Sequence, residues 1–128
     1  MASELKVNTL TGVSTAGSIA VTGEGNSTTT NLQQGLAKAW VDGTNAAVLT
    51  DSFNLASGTD NGTGDYTYAF TNDMATVNYS VPSGAEYAGI ASYYSQATGS
   101  YRAMVFSRAD SITKEDKVNF FAIFGDLA

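Results

Sequence analysis

Four tyrosines, Tyr87, Tyr93, Tyr94 and Tyr101, are the residues of this chain best suited to touch a ligand. A tyrosine ring offers an apolar face to the C–H face of a sugar, and its hydroxyl exchanges hydrogen bonds with sugar hydroxyls. Tyr93 and Tyr94 are adjacent, so in a strand one of the two rings must point away from the core. The competing role for three of the four is packing, in a core or along a seam between subunits. Trp40 carries the same chemistry and would share a strand face with Lys38 and Asp42. Packing at a joint between segments or subunits is its simpler explanation.

The carboxylates point elsewhere. Asp60, Asn61 and Asp65 flank a Gly-rich stretch and bear oxygen, as calcium ligands do. Their spacing departs from the D-x-[DN]-x-[DN]-G loop, however, and no bidentate Glu stands at its twelfth position. Asp and Asn favour turns for the backbone hydrogen bonds their side chains make, so Asp60, Asn61, Gly62 and Gly64 are read as a hairpin turn with no metal. Glu115 and Asp116 are neighbours between Lys114 and Lys117. Glycoside cleavage needs two carboxyls facing each other across a sugar, about 5 Å or more apart. Adjacent acids in a Lys-flanked loop are a solvated turn, and no catalytic residue is assigned.

Composition removes further classes. The 128 residues include 12 acids against 6 bases, for a net charge of −6. No Lys/Arg cluster exists to neutralise phosphates, which argues against a nucleic-acid partner. Cysteine and histidine are both absent, which excludes disulfides, Cys/His zinc sites and histidine-based catalysis. No cofactor is expected. There is no 18-residue apolar stretch, and the opening MASELKVN lacks the apolar run of a signal peptide. A soluble chain without membrane insertion follows as the expectation.

The elements that must position these side chains are strands. All fourteen aromatic residues fall between Trp40 and Phe124. Aromatic rings carry the largest apolar payload available to a core, so residues 36–128 are expected to fold as a head around their own core. Residues 1–35 are expected to form an extended arm that leans on other chains. Leu5 and Val7 alternate with Lys6, Leu10 and Val13 follow across Thr11-Gly12, and Ile19 and Val21 alternate with Ala20 and Thr22. Each pair is too short to bury itself. Gly12, Gly17, Gly23 and Gly25 punctuate them, and a polar run from Asn26 to Asn31 follows. The recurrence of apolar positions favours an arm that pairs between subunits or docks on a scaffold over a disordered tail. Asn31-Leu32-Gln33-Gln34 matches a weak capping box, limited by Gly35 to about one turn.

In the head the period is two. Phe53 and Leu55 alternate with Ser52 and Asn54, Tyr66, Tyr68 and Phe70 alternate with Asp65, Thr67 and Ala69, and Asn61-Gly62 between them is a strong short hairpin signal. A hairpin over residues 52–71 is predicted, with further strands over 77–81, near 87–94 and near 101–108. A turn is predicted at Ala97-Thr98-Gly99-Ser100 and a charged connection over 110–117. The apolar run of residues 118–124 reads as a central strand. Short strands with regularly spaced turn signals give an all-β fold, a compact antiparallel sandwich or barrel.

Two stretches, SELKVNTL and SGTDNGTGDYTYAFT, together with the closing FGD, resemble small tail-fibre-like proteins of marine tailed bacteriophages, cyanophages among them. The resemblance covers residues 3–10, 39–81 and 118–126, and residues 82–117 depart from it. It implies a homotrimeric virion fibre, made in the host cytoplasm. The N-terminal arm would attach to tail or baseplate proteins, and the head would face the host. Leu5, Val7, Leu10, Val13, Ile19 and Val21 would then form the trimer or attachment seam. Three chains that share these few positions triple the apolar area available.

The function expected on these grounds is non-enzymatic adhesion to a bacterial surface polysaccharide. A purely structural virion component, such as a capsid decoration or a tail-fibre adaptor, is the alternative. A trimer of net charge −18 favours neutral sugars, or acidic ones bridged by divalent cations in high salt.

Overall fold

The computed structural model describes residues 4–13, 19–23, 28–109 and 113–128. Ser3, Gly17, Gly25, the Asn26-Ser27 opening of the polar run and residues 110–112 of the charged connection lie outside the described residues. Contacts divide the chain into two units, Met1–Gly35 and Leu36–Ala128.

In the first unit, β1 (Ala20–Thr22) and β2 (Thr29–Asn31) pair antiparallel, with Val21 opposite Thr30. Asn31 ends β2 and caps α1 (Leu32–Gly35), a single turn. The Gln34 N–H donates to Asn31 Oδ1 at 3.1 Å, as the capping pattern predicts, and the Leu32 N–H donates to the Ile19 carbonyl at 2.8 Å. Leu5, Val7, Leu10 and Val13 lie outside regular structure and are exposed, Val21 is exposed on β1, and Ile19 is half-buried. Among the described residues, the buried apolar cluster draws on the second unit alone.

That second unit is all-β and antiparallel. It comprises β3 (Ala37–Gly43), β4 (Leu49–Phe53), β5 (Leu55–Gly62), β6 (Asp65–Phe70), β7 (Ser83–Ala85), β8 (Ile90–Ala97), β9 (Ser100–Phe106) and β10 (Asn119–Phe124). One sheet runs β4-β3-β10-β7 and the other β5-β6-β9-β8. Period-two alternation turns Ala39 and Val41 of β3 and Phe121 and Ile123 of β10 toward Tyr66, Tyr68 and Phe70 of β6 and Tyr101, Ala103 and Val105 of β9. The rings interlock across the sheets. Phe121 meets Tyr68 edge-on with centroids 5.1 Å apart, and Tyr101 at 4.8 Å.

Tyrosine in a core needs a place for its hydroxyl. Tyr68 donates to Asn119 Oδ1, Tyr66 to Asp116 Oδ1 and the Asn45 carbonyl, and Tyr79 to the carbonyls of Ala97 and Ser100. Tyr101 Oη makes no hydrogen bond of good geometry, and Ser83 is the polar side chain beside it.

The predicted hairpin is corrected at its start and at its turn. Residues 52–53 belong to β4 in the other sheet, where Phe53 lies opposite Trp40. The break is Asn54, at φ +59, where the chain leaves one sheet for the other. Its side chain holds the corner, donating to the carbonyls of Lys38 and Asn72 and accepting from the N–H and amide of Asn72. Asn tolerates this region better than any residue but Gly. The turn itself is Thr63-Gly64, just past the Asn61-Gly62 signal rather than on it, because a bulge between Asp60 and Gly62 shifts the register. Asn61 keeps a negative φ, whereas Gly62 (+121) and Gly64 (+61) take positive ones. At Gly64 a Cβ would also strike the backbone of Val105 and Glu115.

The strand predicted over 77–81 is absent. That segment pairs with β10 only through an isolated Ser80–Phe124 bridge, with the Tyr79 ring buried against Phe70. The strand near 87–94 starts later, at Ile90, and the strand near 101–108 ends earlier, at Phe106. The predicted Thr98-Gly99 turn is present, and β10 is an inner strand, between β3 and β7. Only one face of β10 is buried, and Phe120 stands exposed on the other.

Candidate ligand-binding site

β8 is an edge strand, paired on one side with β9. Opposite Ala103 stands Tyr93 and opposite Arg102 stands Ser95, so Tyr94 is an extra residue, bulged out of the ladder. The bulge breaks the alternation that would hide one ring. Tyr93 is 62% exposed and Tyr94 is 54% exposed. The two rings, with Val77, Asn78, Ser95 and Gln96, line an open depression of about 350 Å³.

The far wall of this depression is the irregular 77–81 segment, and two contacts hold it against β8. Gln96 Nε2 donates to the Tyr79 carbonyl at 2.9 Å, and Tyr79 Oη donates to the Ala97 carbonyl at 3.0 Å. An amide pair, a hydroxyl and two phenol rings converge on one concavity. That is the inventory by which a saccharide is held, with rings against its C–H faces and amides on its hydroxyls.

Beside the Tyr94 ring, and outside the lining of the depression, lies a charged cluster. The Arg102 guanidinium sits 4.8 Å from the Tyr94 ring centroid. Its Nε and Nη2 donate to Asp65 Oδ1 and Oδ2 at 2.7 and 3.0 Å. Lys114 Nζ, brought close by a bridge between Phe106 and Lys114, donates to Asp65 Oδ2 at 3.2 Å. Asn61 Nδ2 adds a long contact to Asp65 Oδ1 and a shorter bond to Thr67 Oγ1. Hydrogen bonding from Arg102 holds the buried Asp65 carboxyl below its usual range, against the opposing effect of burial and with help from Lys114.

The other two tyrosines are placed differently. Tyr87 lies in the Glu86–Ala88 3-10 turn at φ +51, is 81% exposed, and has the Lys117 ammonium 5.8 Å from its ring. It does not line the depression. Tyr101 cannot face a ligand, which corrects that assignment: it is fully buried against Phe121, because the period of β9 turns it inward with Ala103 and Val105.

Trp40 occupies the outward face of β3, opposite Phe53 and Ala122. Phe120 stands on the same face two residues before Ala122, with its ring over Gly84 of β7, where a Cβ would lie 2.5 Å from Cζ. Trp40, Phe53 and Phe120 form an exposed aromatic strip that the sequence reading did not assemble. Lys38 is buried, with its Nζ on the Leu36 carbonyl.

The remaining candidates are engaged in turns. Asp60 Oδ1 accepts from the Gly62 N–H, Asp116 Oδ1 accepts from the Gly64 N–H and Tyr66 Oη, and Glu115 pairs with Lys117. Among the described residues no cluster of acids capable of holding a metal ion is present.

Arg102, Lys114, Asn78 and Gln96 were not singled out in the sequence. The signal for Arg102 was its outward parity on β9, opposite Thr67 and two residues from the level of Asp65, legible once β6 and β9 are paired. No protein-family model, curated protein or solved structure matches this chain.

Proposed function

We propose that this chain is a non-enzymatic adhesin that binds a bacterial surface polysaccharide through the depression framed by Tyr93 and Tyr94. The observation that carries this reading is the β8 bulge, which exposes two adjacent rings beside Asn78, Ser95 and Gln96. In a soluble domain, two neighbouring exposed tyrosines with convergent amides fit a binding role better than a packing one.

The resemblance of SELKVNTL and DNGTGDYT to phage tail-fibre-like proteins supplies the setting: a virion fibre, trimeric, attached through its N-terminal residues. The exposed Leu5, Val7, Leu10, Val13 and Val21, with Ile19 half-buried, suit a seam completed by other chains. One open site binds a sugar weakly, and three per fibre raise the avidity by roughly 10²–10⁴. The test is adsorption of the purified chain to host polysaccharide, with Tyr93→Ala plus Tyr94→Ala as the comparison. Loss of retention with an unchanged melting temperature is expected; full retention would remove the site from this depression.

A specific observation favours a second reading. The Trp40–Phe53–Phe120 strip is an exposed apolar surface on the opposite sheet, suited to packing against another virion protein. A structural component, either a capsid decoration or an adaptor, would use that face and leave the tyrosines idle. Gold labelling of intact particles separates the two readings, since a label on the capsid shell would sink adhesion by a fibre tip.

A further inference from the structure

The charge of the whole chain and the charge beside Tyr94 have opposite signs. Two of the six basic residues converge on one carboxylate, so the Asp65–Arg102–Lys114 cluster carries one positive charge in excess in a chain of net −6. Asp116, the nearest acid by sequence to Lys114 after Glu115, is turned to the Gly64 N–H and the Tyr66 hydroxyl, and Glu115 is turned to Lys117.

The geometry at Arg102 is equally specific. A guanidinium has five N–H donors on three edges. Asp65 occupies the edge made by Nε and one side of Nη2. The outer edge, formed by Nη1 and the far side of Nη2, donates to no acceptor among the described residues. The side chain is 36% exposed. That edge is the planar fork which receives a carboxylate through two parallel bonds. Asp65 fixes the fork in place, so little side-chain entropy remains to be lost on binding.

We propose that the saccharide taken at this site is acidic, and that its carboxylate is received by the outer edge of Arg102 beside the Tyr94 ring, with Lys114 adding to the local field. This rests on the reading of the depression as a glycan site and names the class of sugar. It replaces the expectation of neutral or cation-bridged sugars drawn from net charge, because at seawater-like salt a charge acts over only about 3–5 Å and the local cluster outweighs the total.

The test is calorimetric binding of trigalacturonic acid and of its methyl ester, which keeps the ring and removes the charge. The wild-type chain is expected to prefer the acid by about tenfold, as one charge-assisted pair allows. In Arg102→Gln the acid-to-ester ratio falls to about one. Because that change leaves Asp65 buried and less well paired, Asp65→Asn plus Arg102→Gln is measured beside it, removing both charges, and the same collapse of the ratio is expected. Equal binding of acid and ester by the wild type, abolished by Tyr93→Ala plus Tyr94→Ala, would overturn the acidic class and leave glycan adhesion standing. An acid preference that survives in both Arg102 variants would also overturn it. Binding of neither probe, together with retention of host polysaccharide that ignores the tyrosines, would end both readings.

Discussion

The Tyr68 hydroxyl donates to Asn119 Oδ1 at 2.7 Å, and the bond joins the two sheets at a point where both side chains are fully buried. Burial pushes the Tyr68 hydroxyl up to about 12, against a lowering effect of Asn119. Phe at position 68 would keep the ring contact with Phe121 and leave Asn119 Oδ1 without its donor. Tyr68→Phe is therefore expected to cost about 1–3 kcal/mol in urea unfolding, the desolvation penalty of an orphaned acceptor. A change within error of zero would mean that Asn119 finds a substitute.

Alkaline pH should unfold the domain through its core. Burial raises the hydroxyls of Tyr68 and Tyr79 to about 12 and that of Tyr66 higher still, with the Asp116 carboxylate adding to the effect at Tyr66. In the unfolded chain tyrosine ionises near 10. The folded values are the higher ones, so their contribution is complete below about pH 10 and drains away as pH rises through about 12. Tyrosinate absorbance and circular dichroism should change together in that window. A core signal that persists after full ionisation would contradict this.

Acid should act through Asp65. Its folded pKa lies below the ordinary carboxylate value near 3.9. The contribution is therefore present above that value and is lost as pH falls through the lower, folded one. Asp65→Asn should lower stability at pH 7 by roughly 2 kcal/mol, the scale of hydrogen bonds to charged groups. It should also flatten the pH dependence of unfolding below about pH 4. A variant with the wild-type slope would place the acid sensitivity elsewhere.

Asn54 combines a left-handed backbone with four hydrogen bonds. Asn54→Gly keeps the conformation and loses the bonds, whereas Asn54→Ala loses the bonds and strains the corner. Both should destabilise, by roughly 1–3 kcal/mol, with Ala the worse by several tenths. Equal melting temperatures for the two would show that backbone strain contributes little.

Parity along a strand was the legible part of this fold. Tyr66, Tyr68 and Phe70 alternate with Asp65, Thr67 and Ala69 and do face the core, and residues 119–124 do form an inner strand. What local pattern could not reveal were the register breaks. Phe53 and Leu55 look like one face of one strand, yet Asn54 puts them in different sheets. Tyr93 and Tyr94 look like one ring in and one ring out, yet the bulge turns both to solvent. Tyr101 was misplaced because composition marks a ring as ligand-facing or core equally well, and only pairing with β6 settles its parity. The Arg102–Asp65 pair was hidden for the same reason, since its partners are far apart in sequence and meet only through strand order.

The position of β10 has a kinetic meaning. Its neighbour β3 pairs with it residue by residue, Ala39 with Ile123 and Val41 with Phe121, so the centre of that sheet closes the longest loop in the domain. Until that closure, β3 has only β4 beside it, and the inward residues of β6 and β9 face water. Domains dominated by such distant pairings cross their barrier in about milliseconds to seconds. The transient species would show Ala39, Val41 and the inward rings of β6 and β9 together with an open sheet edge, so it should be the state most prone to aggregate.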